Sequence, residues 1–405
     1  MSPAFNRLWS ANIFSNLADG FGKTAFPLLA ISLTRDPVYI SMIGALVMLP
    51  WLLLAIPIGT VIDNVNKKNA LALANSIRAA IAAILAVAIS TDFITIHWLL
   101  LIAFAVGICE VIADTASQSL IPTIVNNKDL EKANSRFEMT FTIIQDFVGA
   151  PLGGLLYGIA IYIPFIANGT GFAIAALMCF LIPLPFVKTE RVHEVSKFDT
   201  FKSDLRFGIS FLWNHKDLKR LVLTTTAIGF CFSFANATNV LFLVDELGLK
   251  EEYFGIYMSA FGLFALTGAF MAPKNAERFG RGQTLAAAIS LSCVAMPLTA
   301  FVPNIWIFLF IGFAEMYAIT HWNILLMATY QRLIPTEIYA RVHGARRTLV
   351  WGSMPVASFL GGWVAKATND LRFPWLLAGT VAVIVMFFNT KFIVAVGNSV
   401  VNNEA

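Results

Sequence analysis

The 405-residue chain is 58% hydrophobic and only 13% charged, with 35 phenylalanines and a formal net charge of +4. A soluble domain of this length needs a far more polar skin, so the composition excludes one and indicates a polytopic membrane protein. The small positive excess is dispersed over loops, which argues against nucleic acid as a partner.

Apolar runs of 18 to 28 residues recur along the chain, each long enough to cross roughly 30 Å of hydrocarbon. Lipid offers the backbone no hydrogen bonds, and unbroken apolar runs lack the alternation of a barrel, so the class is all-α. Twelve transmembrane helices are predicted, at 8–33, 40–62, 70–90, 97–121, 138–161, 163–187, 220–244, 252–272, 283–301, 304–331, 346–365 and 372–396. The first span carries Asn16, Asp19 and Lys23 and lacks a cleavage site, so it reads as a retained helix rather than a leader. Gly59, Asp63, Lys67 and Lys68 form a short charged turn after the second span, the composition of a cytoplasmic connection. The third span holds Arg78, and the fourth holds Glu110 and Asp114 at i, i+4 on one face. Residues 188–219 form a basic tether between two bundles, 1–187 and 220–405, with an amphipathic helix through Leu205, Ile209, Phe211 and Leu212 that would lie along the membrane surface. Asn236 and Asn239 follow in the seventh span; Glu315, His321 and Asn323 lie in the tenth. Cys109, Cys179, Cys231 and Cys293 fall within apolar spans as small packing residues, with no disulfide assigned.

If the N-terminus is cytoplasmic, twenty-two of the Lys and Arg residues lie in inner segments and four (Arg35, Lys250, Lys366 and Arg372) in outer ones. That asymmetry places both termini inside. The halves also repeat. Arg7-Leu8 and Arg220-Leu221 are offset by 213 residues, as are Ile121-Pro122 and Ile334-Pro335. Asp63 and Glu277 are offset by 214, and the Gly153-Gly154 and Gly361-Gly362 pairs by 208. Such agreement indicates duplication, and parallel six-helix repeats are a known transporter plan.

At these residues the chain resembles a major facilitator superfamily transporter. The family's loop between helices 2 and 3 reads Gly-x-x-x-Asp-Arg/Lys-x-Gly-Arg/Lys-Arg/Lys; Gly59, Asp63, Lys67 and Lys68 match, while Asn64 and Asn66 replace a base and the glycine. The second copy keeps Glu277, Arg278, Gly280 and Arg281 but has Pro273 where glycine is expected. Ser15 to Gly20, Glu110, Asp114 and Gln118 before Ile121-Pro122, and Arg341 to Arg347 resemble the macrolide-efflux and enterobactin-exporter branch. That likeness implies a drug–proton antiporter type: a monomer in the inner membrane of a bacterium, acting on a small-molecule substrate and protons, with the proton gradient as energy source and no cofactor. The helix-4 arginine of many such antiporters is missing, and acids stand there instead. Pro151 sits one place late in the antiporter pattern of helix 5.

Asp19 is the sharpest candidate. An ionised carboxylate near the bilayer middle costs several kcal/mol unless paired or wet, and Lys23 at i+4 is its local partner. It is read either as an exchange site for a proton or cation, or as a closed pair that fixes packing. Glu110 is open between a proton relay and a structural role; for Asp114 a pairing with Arg78 is preferred. The resemblance implies that Asn16, Asn236, Asn239, Glu315, His321 and Asn323 line the substrate path, against helix–helix hydrogen bonding as the plain alternative. A metal site from Asp19, Cys231 and His321 lacks ligand spacing. By the same resemblance Gly59, Asp63, Lys67, Lys68, Glu277, Arg278, Arg281, Arg346 and Arg347 form a cytoplasmic gate in which Asp63 meets Arg346 and Arg347; positive-inside topology alone accounts for the lysines. Gly149, Pro151, Gly153, Gly154, Pro355, Gly361 and Gly362 permit close helix contact and bending. The reading is proton-coupled export of a small amphipathic molecule, a drug, macrolide-like compound or siderophore. Uptake of a polar metabolite, metal export and a non-transporting receptor are the alternatives.

Overall fold

A computed structural model describes residues 2–126, 129–183, 197–335 and 338–402. Helix α1 (Pro3–Leu33) starts where Ser2 Oγ accepts from the Phe5 N–H, with Pro3 at its first position. The second predicted span is a broken helix, α2 (Pro37–Leu53) and α3 (Ala55–Asn64). The i→i+4 ladder continues on both sides of the break, from Leu54 N to Pro50 O and from Ile58 N to Leu54 O. Pro57 has no N–H for the Leu53 carbonyl, and the break falls at Leu54, one turn before it. Asn66 caps α4 (Lys67–Ser90), accepting from Asn69 N, and α5 (Ile96–Ile124) follows.

The fifth span begins earlier than predicted and is not one α-helix. It runs as α6 (Leu130–Thr140), a π-helical stretch Phe141–Gly149, and α7 (Ala150–Ile159). Pro151 supplies no N–H, so an α-helical register cannot continue unchanged through it, and the wider turns precede it. Helix α8 (Ile163–Phe180) completes the first six-helix series, and the predicted end of that span at 187 lies outside the described residues. The amphipathic tether helix exists as α9 (Lys197–Asn214). Its apolar face does not lie on lipid, as the sequence suggested: Leu212 is buried in a protein core, with Leu205, Ile209 and Phe211 packed against it. Gly208 permits the approach, because a Cβ there would stand 2.6 Å from the Arg341 carbonyl oxygen.

The second series comprises α10 (Lys216–Asn236), a single turn α11 (Asn239–Leu241) with a π turn after it, α12 (Phe254–Phe279), α13 (Arg281–Thr299), α14 (Ile305–Leu333), α15 (Tyr339–Thr368) and α16 (Phe373–Asn402). Gly280 turns the chain between α12 and α13 at φ +86°, a conformation costly for any residue with a Cβ. Ten helices among the described residues are long and apolar enough to cross a membrane. α1 is absent from that set because Asn12, Ser15, Asn16, Asp19 and Lys23 dilute its hydropathy, and α2 and α3 because the break leaves each short.

Two compact units result. One comprises Met1–Arg35, Leu46–Asp199 and Lys250–Ser259; the other comprises Asp36–Ala45, Thr200–Leu249 and Ala260–Ala405. Each therefore includes about ten residues from the opposite half of the sequence. In the first, Phe5, Leu8, Leu71 and Leu120 form a core, and in the second Leu221, Met296, Trp322, Tyr330 and Trp375 do. Large apolar side chains such as Phe270, Trp306, Phe310, Phe387 and Phe388 are exposed, as lipid-facing surfaces require.

The bases at sequence positions offset by 213 and 214 residues make similar contacts. Arg7 donates to the Leu181 carbonyl oxygen beyond α8, and Arg220 to that of Phe388 in α16. Lys67 donates to the Ser119 carbonyl near the end of α5, while Arg281, 214 positions on, donates to that of Leu325 in α14. Leu181 and Ser119 lie at or near the C-terminal ends of α8 and α5, where a base offsets the negative helix end, whereas Leu325 and Phe388 lie inside α14 and α16.

Candidate functional site

The first unit holds a charged cluster at the middle of its helices. Asp19 lies halfway along α1 and Glu110 halfway along α5. Arg78 of α4 donates from Nη2 to Asp19 Oδ1, and its guanidinium lies 3.9 Å from the centre of the Phe172 ring in α8. Its side chain is 2% exposed, against 24% for Asp19, so the base is sealed while the acid keeps an exposed edge. Ser15 Oγ stands 3.5 Å from Arg78 Nη1 and donates to Asn75 Oδ1. Asn168 Nδ2 donates to the Ala18 carbonyl oxygen. These contacts hold α1, α4 and α8 in one register around the guanidinium.

Lys23 does not take the role that its i+4 spacing predicted. It pairs with Asp146 in the π-helical stretch, Nζ to Oδ1 at 2.8 Å. Interhelical partners thus serve both members of the expected local pair. Asp114 Oδ2 accepts from Gln118 Nε2 at 2.7 Å. Glu110 lies within electrostatic reach of Asp19, Arg78 and Asp114. Asp19 and Glu110 thereby lie within reach of one guanidinium, and simultaneous ionisation of neighbouring carboxylates is opposed by mutual repulsion. Asn16 is buried and spends its amide on the Asn12 carbonyl oxygen.

Sequence reasoning missed Asp146. The signal was available, since an acid inside an apolar span is itself unusual; the pairing across 123 residues was not.

Glycine fixes how closely these elements meet. A Cβ on Gly20 would stand 2.5 Å from the Gln145 carbonyl oxygen, and one on Gly153 2.8 Å from that of Phe21. The expected close contact of the fifth span is therefore with α1. Gly154 and Gly255 also meet nearly backbone to backbone, since a Cβ on Gly154 would stand 2.9 Å from the Gly255 nitrogen.

In the second unit, Glu315 of α14 is buried, and its Oε1 has no hydrogen-bond partner among the described residues. Cys293 lies within its electrostatic reach. His321 is 2% exposed; its Nδ1 faces the Tyr317 carbonyl oxygen at 2.8 Å and its Nε2 faces Asn275 Nδ2 at 3.0 Å. A carbonyl only accepts and an amide nitrogen only donates, so this arrangement fits a neutral ring with its proton on Nδ1. Asn236 donates to the Phe232 carbonyl oxygen. Asn239 keeps a buried Oδ1 without a described partner, and Asn323 is exposed. No group of three or more His, Cys, Asp or Glu among the described residues is arranged to hold a metal ion.

Of the predicted gate residues, the Asp63 side chain lies outside the described residues. Gly59 has open space about it. Lys68 donates to the Phe180 and Ile182 carbonyl oxygens. Arg278 stacks on Phe279, Arg346 on Tyr330 and Arg347 on Trp351. Glu277 is exposed on α12.

A family model described as transmembrane secretion effector matches residues 1–403. Macrolide efflux protein A of Streptococcus pyogenes is 20% identical over 382 residues, which covers 94% of this chain and 93% of that protein. The staphyloferrin A transporter of Staphylococcus aureus is 23% identical over 278 residues, 67% of each chain. Among solved structures, a mutant of the nucleoside transporter NupG superposes with a TM-score of 0.76 at 13% identity, covering 96% of this chain and 99% of that one. A bacterial homologue of the iron transporter ferroportin gives 0.72 at 14% identity, covering 96% and 100%. These structural matches show the fold, and they are membrane transporters rather than enzymes. The chain belongs to the transmembrane secretion effector family, an efflux branch of the major facilitator transporters.

Proposed function

We propose that this transporter exports a small amphipathic organic molecule, of macrolide-like or siderophore-like chemistry, in exchange for protons. Twelve membrane crossings, with α2 and α3 together forming the second, put both termini in the cytoplasm of a bacterium. The duplicated halves, 1–187 and 220–405, move by alternating access, so that the central carboxylates meet each aqueous side in turn. The observation that carries the reading is the Asp19–Arg78 pair with Glu110 beside it at the middle of α1 and α5.

Protonation of Asp19 removes half of that ion pair and frees the guanidinium to reorient. Glu110 competes for the same base and can hold the proton while Asp19 is ionised. The exchange is of a proton against a bound substrate, so no covalent step is required. Export rather than uptake is supported by the name of the macrolide efflux relative and by the description of the secretion effector family.

The protein reconstituted in liposomes, loaded with a fluorescent macrolide or siderophore analogue, tests this. Flux that follows an imposed pH gradient and stops when a protonophore collapses it is the expected result. Equal flux with and without the gradient would remove the coupling, and failure of every amphipathic analogue alongside flux of a polar metabolite would remove the substrate class.

A further inference from the structure

On the surface of the second unit, α10 and α16 border an open groove of about 460 Å³. Lys216, Lys219, Arg220 and Leu223 line it from α10, and Val385 and Asn389 from α16. Their spacing along α10, at i, i+3, i+4 and i+7, puts the first four on one face. The groove is therefore cationic at the start of α10 and apolar a turn further in.

Arg220 is held rigidly. Nε donates to Asn389 Oδ1 and Nη2 to the Phe388 carbonyl oxygen, both at 2.8 Å, and the guanidinium lies 4.5 Å from the centre of the Phe392 ring. A guanidinium has five N–H donors, so most remain available. Lys219 Nζ lies 5.8 Å from the centre of the Trp213 ring. Among the described residues, no carboxylate pairs with any of the three cations. Asp217 is the nearest acid in sequence, at i, i+3 to Arg220 and about 100° round the helix from Lys216, and no ion pair among the described residues joins it to either. The first-turn N–H groups of α10 add to the positive field.

The apolar end is equally defined. Leu223 is 47% exposed and Phe388, beside Asn389, is 69% exposed, so this side faces lipid. Helix α10 is long and apolar enough to span a membrane, which sets its charged start at headgroup depth and Leu223 in the hydrocarbon. A free phosphate would use only the cationic end; an acidic phospholipid uses both.

We propose that this groove binds one anionic phospholipid, its phosphate held by Lys216, Lys219 and Arg220 and an acyl chain lying along Leu223 and Val385. This goes beyond the transport reading and does not require it: a protein that moves no protons would still bind the lipid.

Native mass spectrometry of the full-length protein, titrated with phosphatidylglycerol or phosphatidylcholine, provides the test. Preferential retention of one phosphatidylglycerol is expected, weakened roughly 10- to 30-fold in Lys216→Gln/Lys219→Gln. Neither lysine side chain makes a hydrogen bond within the described residues, so thermal unfolding in phosphatidylcholine should be unchanged. Should that variant fail to fold, Leu223→Gln reads the acyl end and should also reduce retention. Equal retention of the two lipids, or phosphatidylglycerol binding unaffected by the substitutions, would overturn the proposal. Displacement of the lipid by millimolar inorganic phosphate would mark a free-anion site and overturn it as well.

Discussion

Asp19 and Arg78 are each other's principal charge partner in a low-dielectric interior, so the two cannot be altered independently. Removing one partner from a buried pair costs about 3–5 kcal/mol. Asp19→Asn and Arg78→Gln should each lower thermal stability by that order in detergent, and the double variant should lose much less than their sum. Additive losses would show that the two side chains do not act as a pair. Lys23 and Asp146 are more exposed, at 40% and 25%. Water screens such a pair, and Lys23→Gln should cost no more than about 1 kcal/mol in the same measurement. The acids and Arg78 were legible as individual residues, because charges in apolar runs stand out. Their pairing was not: the i+4 rule sees only neighbours on one helix, whereas Asp19–Arg78 and Lys23–Asp146 span 59 and 123 residues. Those distances are closed by helix packing that no local spacing encodes.

The close meeting of α1 with the π-helical stretch and α7 rests on absent side chains. Gly20→Ala would press a methyl group to 2.5 Å from a carbonyl oxygen, and overpacking of this kind costs about 1–3 kcal/mol. At Gly44 in α2 and Gly344 in α15 an added methyl group would meet nothing within 4 Å. Alanine at either should instead stabilise by roughly 0.5–1 kcal/mol through helix propensity. Melting temperatures of the three variants measure the contrast; a neutral Gly20→Ala would show that the helices can part without penalty. The glycines were readable in the sequence as contact points, though not what they touch. Helix existence was likewise readable from apolar length, while the break at Leu54 and the π turns before Pro151 were not. Proline removes a donor, and the sequence does not state how the neighbouring turns absorb the loss. The tether helix α9 shows the same limit from the other side, since an amphipathic face is equally suited to lipid and to the protein surface that buries Leu212.

For the molecule as a whole, duplication and membrane character were legible because both are carried by patterns longer than any single element. The proposed sidedness rests on twenty-two bases in the predicted inner segments against four in the outer ones. It predicts that Phe93→Cys, 70% exposed between α4 and α5, reacts with a membrane-impermeant maleimide in intact cells. Asn214→Cys at the end of α9 should react only after permeabilisation. The four native cysteines are buried and should give little background; the reverse labelling pattern would invert the topology. The most direct test of the central claim compares gradient-driven flux in liposomes for the parent, Asp19→Asn and Glu110→Gln. The account predicts that at least one substitution abolishes the response to the pH gradient while substrate binding persists. Full gradient-driven flux in both variants would contradict it.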